Sequence, residues 1–278
     1  MPPVALTFTL DLEDHRPSER VAPRYPMLVR RLLDWLERRD IRATVFVVGE
    51  LVEQRPELVA MVSAAGHEIG LHGWTHDPLP EVGPEQFERD TGTGKERLEA
   101  VTGSEVVGYR APIFSLVPRS AWAPDVLHSL GFRYSSSVLP APNPQYGWPA
   151  APTEPFRWPC GLVELPAPVG GAGRFQVPAL GGAYVRILPW PVVRQTQQRQ
   201  RESDVAWTYC HPYDFDPDEP FWVVPEVGRA GSRLIWFNRS NMLRRLDRLF
   251  ADGAAPPLRE RVERLSTDLT TFTPEMSA

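Results

Sequence analysis

The sequence predicts an α/β fold in which parallel strands alternate with helices, as a (β/α) barrel or an open sheet. Three observations carry this. Short apolar or β-branched runs recur along the chain, each followed by a stretch with helical spacing. Polar and ionisable residues gather directly after those runs, at the end of a parallel sheet where active sites form. Neither a Gly-x-Gly-x-x-Gly nor a Walker lysine is present, which leaves dinucleotide and P-loop readings without support.

Taken in order, Val4 to Leu10 reads as a buried strand ending in Asp11-Leu12-Glu13-Asp14-His15. Three acids there are costly unless they bind something or pair with a cation. Leu28, Leu32, Leu33 and Leu36 predict an amphipathic helix over 26–39, and Ile41 to Val48 predicts the next strand. Pro56 starts a helix that Gly66 ends, with Leu58, Val59 and Val62 as its core face. Ile69 to Leu71 is a third strand, followed by His72 to His76. A helix over 84–101 is weakened in its middle by Gly92 and Gly94. Val106 to Tyr109 is a strand leading into Arg110-Ala111-Pro112, Ser120 caps a helix to about Leu130, and Phe132 to Tyr134 opens a strand into Ser135-Ser136-Ser137.

Beyond this point regularity fades. Pro140 to Pro159 is a proline- and tryptophan-rich loop over the barrel mouth, in which Tyr146, Trp148, Phe156 and Trp158 are equally candidates for sugar contact or for a packed lid. Gly161 to Pro166 reads as a strand, Gly170 to Gly173 as a turn, 190–201 as a helix, and Val205 to Cys210 as an apolar strand running into His211. Trp222-Val223-Val224 and Leu234 to Phe237 are expected to pair as a hairpin. Asn241 to Phe250 closes as a helix with Leu243, Leu246 and Leu249 inward. The expected organisation is one domain over 1–252 and a polar, partly frayed tail over 253–278.

Composition narrows the function classes. A net charge of -5 and a pI near 5.8, with no basic patch interleaved with aromatics, argue against nucleic acid as a partner. Almost every basic residue is arginine. Cys160 and Cys210 permit only one pairing, so no disulfide framework is expected. The N-terminus lacks a signal-peptide pattern and no apolar run reaches membrane-span length, so a cytoplasmic location and no membrane span are expected. Oligomeric state is not encoded legibly.

The chemistry concentrates in Gly66-His67-Glu68-Ile69-Gly70-Leu71-His72-Gly73-Trp74-Thr75-His76, which holds three of the six histidines. Neutral imidazoles ligate zinc or a similar dication, and His72 and His76 are spaced to reach one ion. With one carboxylate of the Asp11–Asp14 segment they make a His₂-carboxylate set that leaves positions open for water and a carbonyl. A second carboxylate of that segment can take the water's proton, Arg110 can orient that base, and His211 is placed to protonate a departing amine.

These motifs, together with Thr9-Leu10-Asp11-Leu12-Glu13-Asp14, Gly108-Tyr109-Arg110-Ala111-Pro112-Ile113-Phe114-Ser115 and His211-Pro212-Tyr213-Asp214-Phe215-Asp216-Pro217, resemble the polysaccharide deacetylases. That is the NodB-homology family, or family 4 carbohydrate esterases, and the likeness is greatest to the exopolysaccharide- and exosortase-associated branch. Gly181-Gly182-Ala183-Tyr184-Val185-Arg186 resembles a further segment of that branch. The resemblance implies a distorted (β/α) barrel with about seven parallel strands, a divalent metal, most often Zn²⁺, and removal of an N-acetyl group from an amino sugar. It implies Asp11 as base, His72 and His76 as metal ligands, Arg110 holding Asp11, the Ile113 backbone N–H facing the oxyanion, and His211 as acid. His67 is expected to make a structural hydrogen bond.

Two departures stand out. The family's adjacent aspartates are here Asp11 and Leu12. Asp14, at the start of a loop, is the preferred third ligand; Glu13 shares a strand face with Asp11 and takes the role if the segment stays extended. Around Tyr134 to Ser137 an aspartate that tunes the acid histidine is missing, and Asp204, Asp214 or Glu164 are its candidate replacements. The substrate class is an amino sugar in a glycan or in a lipid-linked or nucleotide-linked precursor. A deformylase or cyclic-amide hydrolase of the same fold is the alternative, followed by a non-catalytic glycan-binding domain using Trp148 and Trp158.

Overall fold

The structure, a computed structural model, describes residues 5–171, 176–200, 205–225, 227–265 and 267–274. In chain order the elements are β1 (Thr7–Leu12), α1 (Tyr25–Glu37), β2 (Thr44–Val47), α2 (Gly49–Gln54), α3 (Pro56–Ala64) and β3 (Glu68–Leu71). Then follow α4 (Pro84–Thr102), β4 (Gly108–Tyr109), α5 (Ala123–Ser129), β5 (Tyr134–Ser135), β6 (Phe156–Arg157) and β7 (Val163–Glu164). The remainder is α6 (Gly182–Ile187), α7 (Trp190–Arg199), β8 (Trp207–Cys210), α8 (Gly228–Trp236), α9 (Met242–Leu249) and α10 (Leu258–Glu263).

The strands form one sheet in the order β6-β7-β5-β4-β3-β2-β1-β8. It has eight strands where about seven were expected; seven run parallel and the extra one, β6, lies antiparallel at the edge. This is the expected α/β half-barrel.

Alternation along each strand sorts the core into two parts. Phe8, Leu10, Leu12, Val45, Val47, Ile69 and Leu71 pack outward with Trp35, Leu32 and Val59 of the helices. Facing the concave side, Phe46, Tyr134, Trp207 and Tyr209 make a second cluster. Thr9, Asp11 and Glu13 share this inward phase on β1 and just beyond it. Gly70 is the inward residue of β3 because a Cβ there would stand 2.7 Å from the Phe46 ring, to which it is paired in register. α4 runs unbroken through Gly92 and Gly94; at Gly94 a side chain would collide with Leu71. Cys160 and Cys210 are both free.

Three sequence expectations are corrected. The predicted hairpin over 222–237 is instead a loop followed by α8, and Ser232 ties the two by accepting from Val224 N–H at 2.9 Å. In α9 the inward residues are Met242, Leu246 and Leu249, while Leu243 is exposed. The stretch after Asp252, read as a frayed tail, crosses the N-terminal ends of the strands. Thr7 Oγ1 donates to Pro256 O at 2.7 Å, Leu258 N–H to Thr44 Oγ1 at 2.9 Å, and Arg259 N–H to Glu68 Oε2 at 3.0 Å. Leu258 fills the floor of the concave core, and Phe272 packs between Trp148, Phe156 and Trp158. Burial of that apolar plug, not local propensity, holds a polar sequence in place.

Candidate active site

At the opposite end the inward phase of β5, β4, β3, β1 and β8 brings Ser136, Arg110, His72, Asp11 and His211 to one rim. The register Leu12↔Val47↔Leu71↔Tyr109 aligns the strand ends, so the residues next to these positions meet. His72 is buried, and its Nδ1 lies 2.9 Å from Arg110 O. A carbonyl only accepts, so Nδ1 carries the proton and Nε2 keeps its lone pair. Burial pushes the His72 pKa down to about 4, which keeps the ring neutral.

β1 stays extended to Leu12, and Val48 N–H donates to Leu12 O at 3.1 Å. Extension continues the alternation and turns Glu13, not Asp14, inward. Glu13 Oε2 stands 2.8 Å from His76 Nε2. One donor atom each from Glu13, His72 and His76 lie within 4.8 Å of one another. Asp14, the preferred ligand by sequence, turns away and pairs with Arg16 Nε at 2.7 Å. The His76 backbone adopts φ 68°, which swings its ring back over the strand ends beside His72.

The electrostatics of this trio suit a cation. Burial would raise the Glu13 pKa, but the charges of His76, His211 and His72 overcome it and hold the carboxyl well below the usual range. For His76 burial acts downward, and the Glu13 charge and hydrogen bond carry the net shift upward. Two imidazoles and a carboxylate, one ring fixed in its tautomer by a backbone carbonyl, are a donor set that fits zinc or a related dication.

Arg110 is fully buried between the rings of Phe46 and Trp207, its guanidinium carbon 4.1 and 4.2 Å from their centroids. It donates through Nη1 to Asp11 Oδ1 at 2.6 Å and Thr9 Oγ1 at 2.7 Å, and through Nη2 to Ser136 Oγ at 2.9 Å. The rigid fork therefore fixes one oxygen of Asp11 and leaves Oδ2 facing the rim. The serine triplet has a defined use: Ser136 orients Arg110, and Ser137 Oγ accepts from Ala111 N–H at 2.8 Å. Glu164 is fully buried beneath it and accepts from Ser137 N–H at 2.6 Å and Val138 N–H at 2.9 Å. It mounts this loop and does not reach His211.

The acid histidine finds its carboxylate three residues on. Asp214 Oδ2 lies 3.2 Å from His211 Nδ1 and accepts from His211 N–H at 2.8 Å. Nε2 then points to the rim, 3.9 Å from Asp11 Oδ2. Burial opposes charge on His211, but the carboxylates of Glu13, Asp214 and Asp11 push its pKa up to about 9. Asp214 is itself buried against Arg186, which donates through Nη2 at 2.6 Å and Nε at 3.0 Å to Oδ1. Despite burial, that guanidinium and His211 hold the Asp214 pKa down at about 2. Asp204, another sequence candidate, lies outside the described residues. Gly182, at φ 28°, leaves room for this pair: a Cβ there would stand 3.1 Å from Asp214 Oδ2.

Ile113 and Phe114 occupy the left-handed region at φ 54° and 53°. A β-branched residue there costs on the order of 1–3 kcal/mol, and such strain concentrates at functional sites. The Ile113 side chain is exposed while Pro112 and Phe114 are buried, so the turn inverts the chain at the rim. His67 accepts from Ala43 N–H at 3.1 Å, remote from the rim, as its structural reading requires. Trp148, Phe156 and Trp158 are core residues, with no face open for stacking a sugar.

Sequence reasoning gave no role to Arg186, Ser136, Thr9 or Tyr213. Arg186 was visible inside the Gly181–Arg186 segment, but nothing in the spacing showed that it meets Asp214. Tyr213 stacks on His211 at 4.8 Å and meets the tilted ring of His15 at 4.3 Å.

Residues 3–135 match the polysaccharide deacetylase model, and residues 136–260 match a domain of unknown function, DUF3473. A peptidoglycan-N-acetylglucosamine deacetylase of Listeria monocytogenes is 40% identical over 76 residues, 27% of this chain and 14% of that protein. A chitooligosaccharide deacetylase of Sinorhizobium fredii is 31% identical over 103 residues, 37% of this chain and 45% of that protein. The chain thus spans less than half the length of either curated relative. The crystal structure of a Mycobacterium smegmatis protein named for the polysaccharide deacetylases superposes with TM-score 0.63 at 21% identity, covering 99% of this chain and 97% of that one. This likeness establishes a shared fold. Residues 3–135 are therefore similar to the polysaccharide deacetylases and residues 136–260 to DUF3473, and the two matched stretches share one sheet, β8 pairing with β1.

Proposed function

We propose that the protein is a metal-dependent carbohydrate N-deacetylase, hydrolysing the acetamido group of an amino sugar. The observation that carries this is the single rim holding a Glu13–His72–His76 donor set beside an Arg110-clamped Asp11 and an Asp214-paired His211. The deacetylase names of the relatives support the substrate class.

Glu13, His72 and His76 would hold a dication, zinc in this reading, whose Lewis acidity would polarise the amide carbonyl and acidify water. Asp11 takes the proton of the attacking water through Oδ2, while Arg110 holds Oδ1 and orients the base. The Ile113 N–H hydrogen-bonds the developing oxyanion. His211 enters protonated and gives its Nε2 proton to the leaving nitrogen as the C–N bond breaks, Asp214 having fixed the ring through Nδ1. Acetate and a free amine result. The substrate is an N-acetylated amino sugar in a glycan or in a lipid-linked or nucleotide-linked precursor.

The test is product analysis of zinc-loaded protein with N-acetylated chitooligosaccharides and with lipid-linked N-acetylglucosamine. Acetate in step with new amine supports the proposal. Formate from N-formyl sugars without acetate from N-acetyl sugars assigns deformylation instead, and a cyclic amide opened with no acid released assigns ring hydrolysis.

A further inference from the structure

The segment over residues 221–250 does not enter the proposed chemistry, yet its surface is unusual. Phe221, Val223, Val227, Leu234, Phe237 and Leu243 all stand exposed, at 46, 44, 38, 53, 54 and 38% respectively. They account for most of the large exposed hydrophobic residues among those described. Contacts tie them into one region. Phe221 packs on Trp236 at 5.3 Å, and Val224 N–H binds Ser232 across the loop–helix corner. Val227, which caps α8, and Leu234 within it are both exposed, seven residues apart and opposite buried Ser232. A helix that points its apolar stripe outward has no partner for it within this fold.

Charge identifies the partner. Between Phe221 and Phe250 there are six arginines against two acids, Glu226 and Asp247, in a chain whose net charge is -5. Asp247 is engaged inward, by Trp35 Nε1 at 2.8 Å and by Arg39. Arg229, Arg233 and Arg244 are exposed, and none makes an ion pair with another described residue. Exposed apolar side chains flanked by arginines without an ion-pair partner among the described residues, with tryptophans behind them, are the pattern of a surface that lies on an anionic bilayer. No helix among the described residues is long and apolar enough to cross a membrane, so the contact is peripheral.

We propose that the face formed by residues 221–244 docks on an anionic phospholipid surface. The apolar residues enter the acyl boundary and Arg229, Arg233 and Arg244 meet the headgroups. A chain of rings joins this face to the rim: Trp222 and Trp236 meet His15 at 4.9 and 5.6 Å, His15 meets Tyr213 at 4.3 Å, and Tyr213 stacks on His211 at 4.8 Å. Docking therefore sets the rim beside the bilayer. The proposal stands on this surface alone and its test needs no sugar substrate.

The experiment is co-sedimentation of the full chain with vesicles of phosphatidylcholine alone and of phosphatidylcholine mixed with phosphatidylglycerol. Binding to the mixed vesicles only, weakened by salt, is expected. Arg229→Ala with Arg233→Ala should weaken it by roughly fivefold for each arginine. Leu234→Ser with Phe237→Ser should also weaken it, whereas Met27→Ser, at an exposed apolar site elsewhere, should leave it intact. Absence of binding to the anionic vesicles overturns the proposal, as does binding that both double variants retain. If the same substitutions instead abolish self-association in analytical ultracentrifugation, the face belongs to a second copy of the chain and the proposal fails.

Discussion

Replacing Asp214 by asparagine keeps the shape of the side chain and removes the charge that faces His211 Nδ1 at 3.2 Å. In the metal-loaded protein the Glu13 charge is spent on the cation, so Asp214 is the carboxylate that keeps His211 protonated. An opposite charge at this separation moves a pKa by roughly 1–3 units, or about 1.4–4 kcal/mol. Losing it lowers the His211 pKa, and the alkaline limb of the rate profile moves to lower pH by the same ~1–3 units. On that limb the variant loses about tenfold in rate for each pH unit moved, for a reaction that needs the acid form. The sign follows from the direction of the shift. His211 has a folded pKa above its unfolded value, so its contribution to stability is complete below pH 6.5 and is lost as pH rises through about 9. The same substitution strands the fully buried Arg186, and breaking a buried pair costs about 3–5 kcal/mol. Asp214→Asn combined with Arg186→Met removes that stranded charge and separates folding from titration. The assay is the pH–rate profile of acetate release beside a thermal melt. An alkaline limb of Asp214→Asn and of the double variant that coincides with wild type would refute the assignment.

Other outcomes follow from the same geometry. Glu13→Gln should reduce zinc affinity by more than the ~10–100-fold typical of groups behind the ligands, whereas Asp14→Asn should leave affinity unchanged; calorimetric titration distinguishes them. Arg110→Lys keeps a charge but loses the fork that grips Asp11, Thr9 and Ser136, and should cost up to the ~10²–10⁴-fold that a positioned base contributes, with KM little altered in steady-state kinetics. Gly70→Ala places a Cβ against Phe46 and Gly108 O and should destabilise the fold by about 1–3 kcal/mol in urea unfolding. His67 and His72, both lowered by burial to about 4, keep stability that is complete above pH 6.5 and is lost as pH falls from there toward 4; metal-free melts across that window measure it.

The elements of the site that were legible in sequence are those set by local chain geometry. A strand followed by polar residues puts those residues at the sheet's C-terminal rim whichever strand it neighbours, so Asp11, His72, His76, Arg110 and His211 could be located by pattern. Glu13 against Asp14 turned on whether β1 remains paired with β2 as far as Leu12, a tertiary question. The same limit hid the Asp214–Arg186 pair, whose members sit 28 residues apart and meet only when α6 packs against β8. For Trp148 and Trp158 the sequence left sugar contact and a packed lid equally open, because the residue that covers them, Phe272, arrives more than a hundred positions later. The apolar runs at 222–224 and 234–237 satisfy strand and helix patterns equally, and Ser232 with Trp236 inward settles them as a loop and α8.

The central claim is that Glu13, His72 and His76 form a metal centre beside Asp11, and anomalous diffraction from zinc-soaked crystals tests it most directly. One peak is expected, at about 2.0–2.2 Å from Glu13 Oε, His72 Nε2 and His76 Nε2. A peak bonded to Asp14, or no peak between these side chains at saturating zinc, would contradict it.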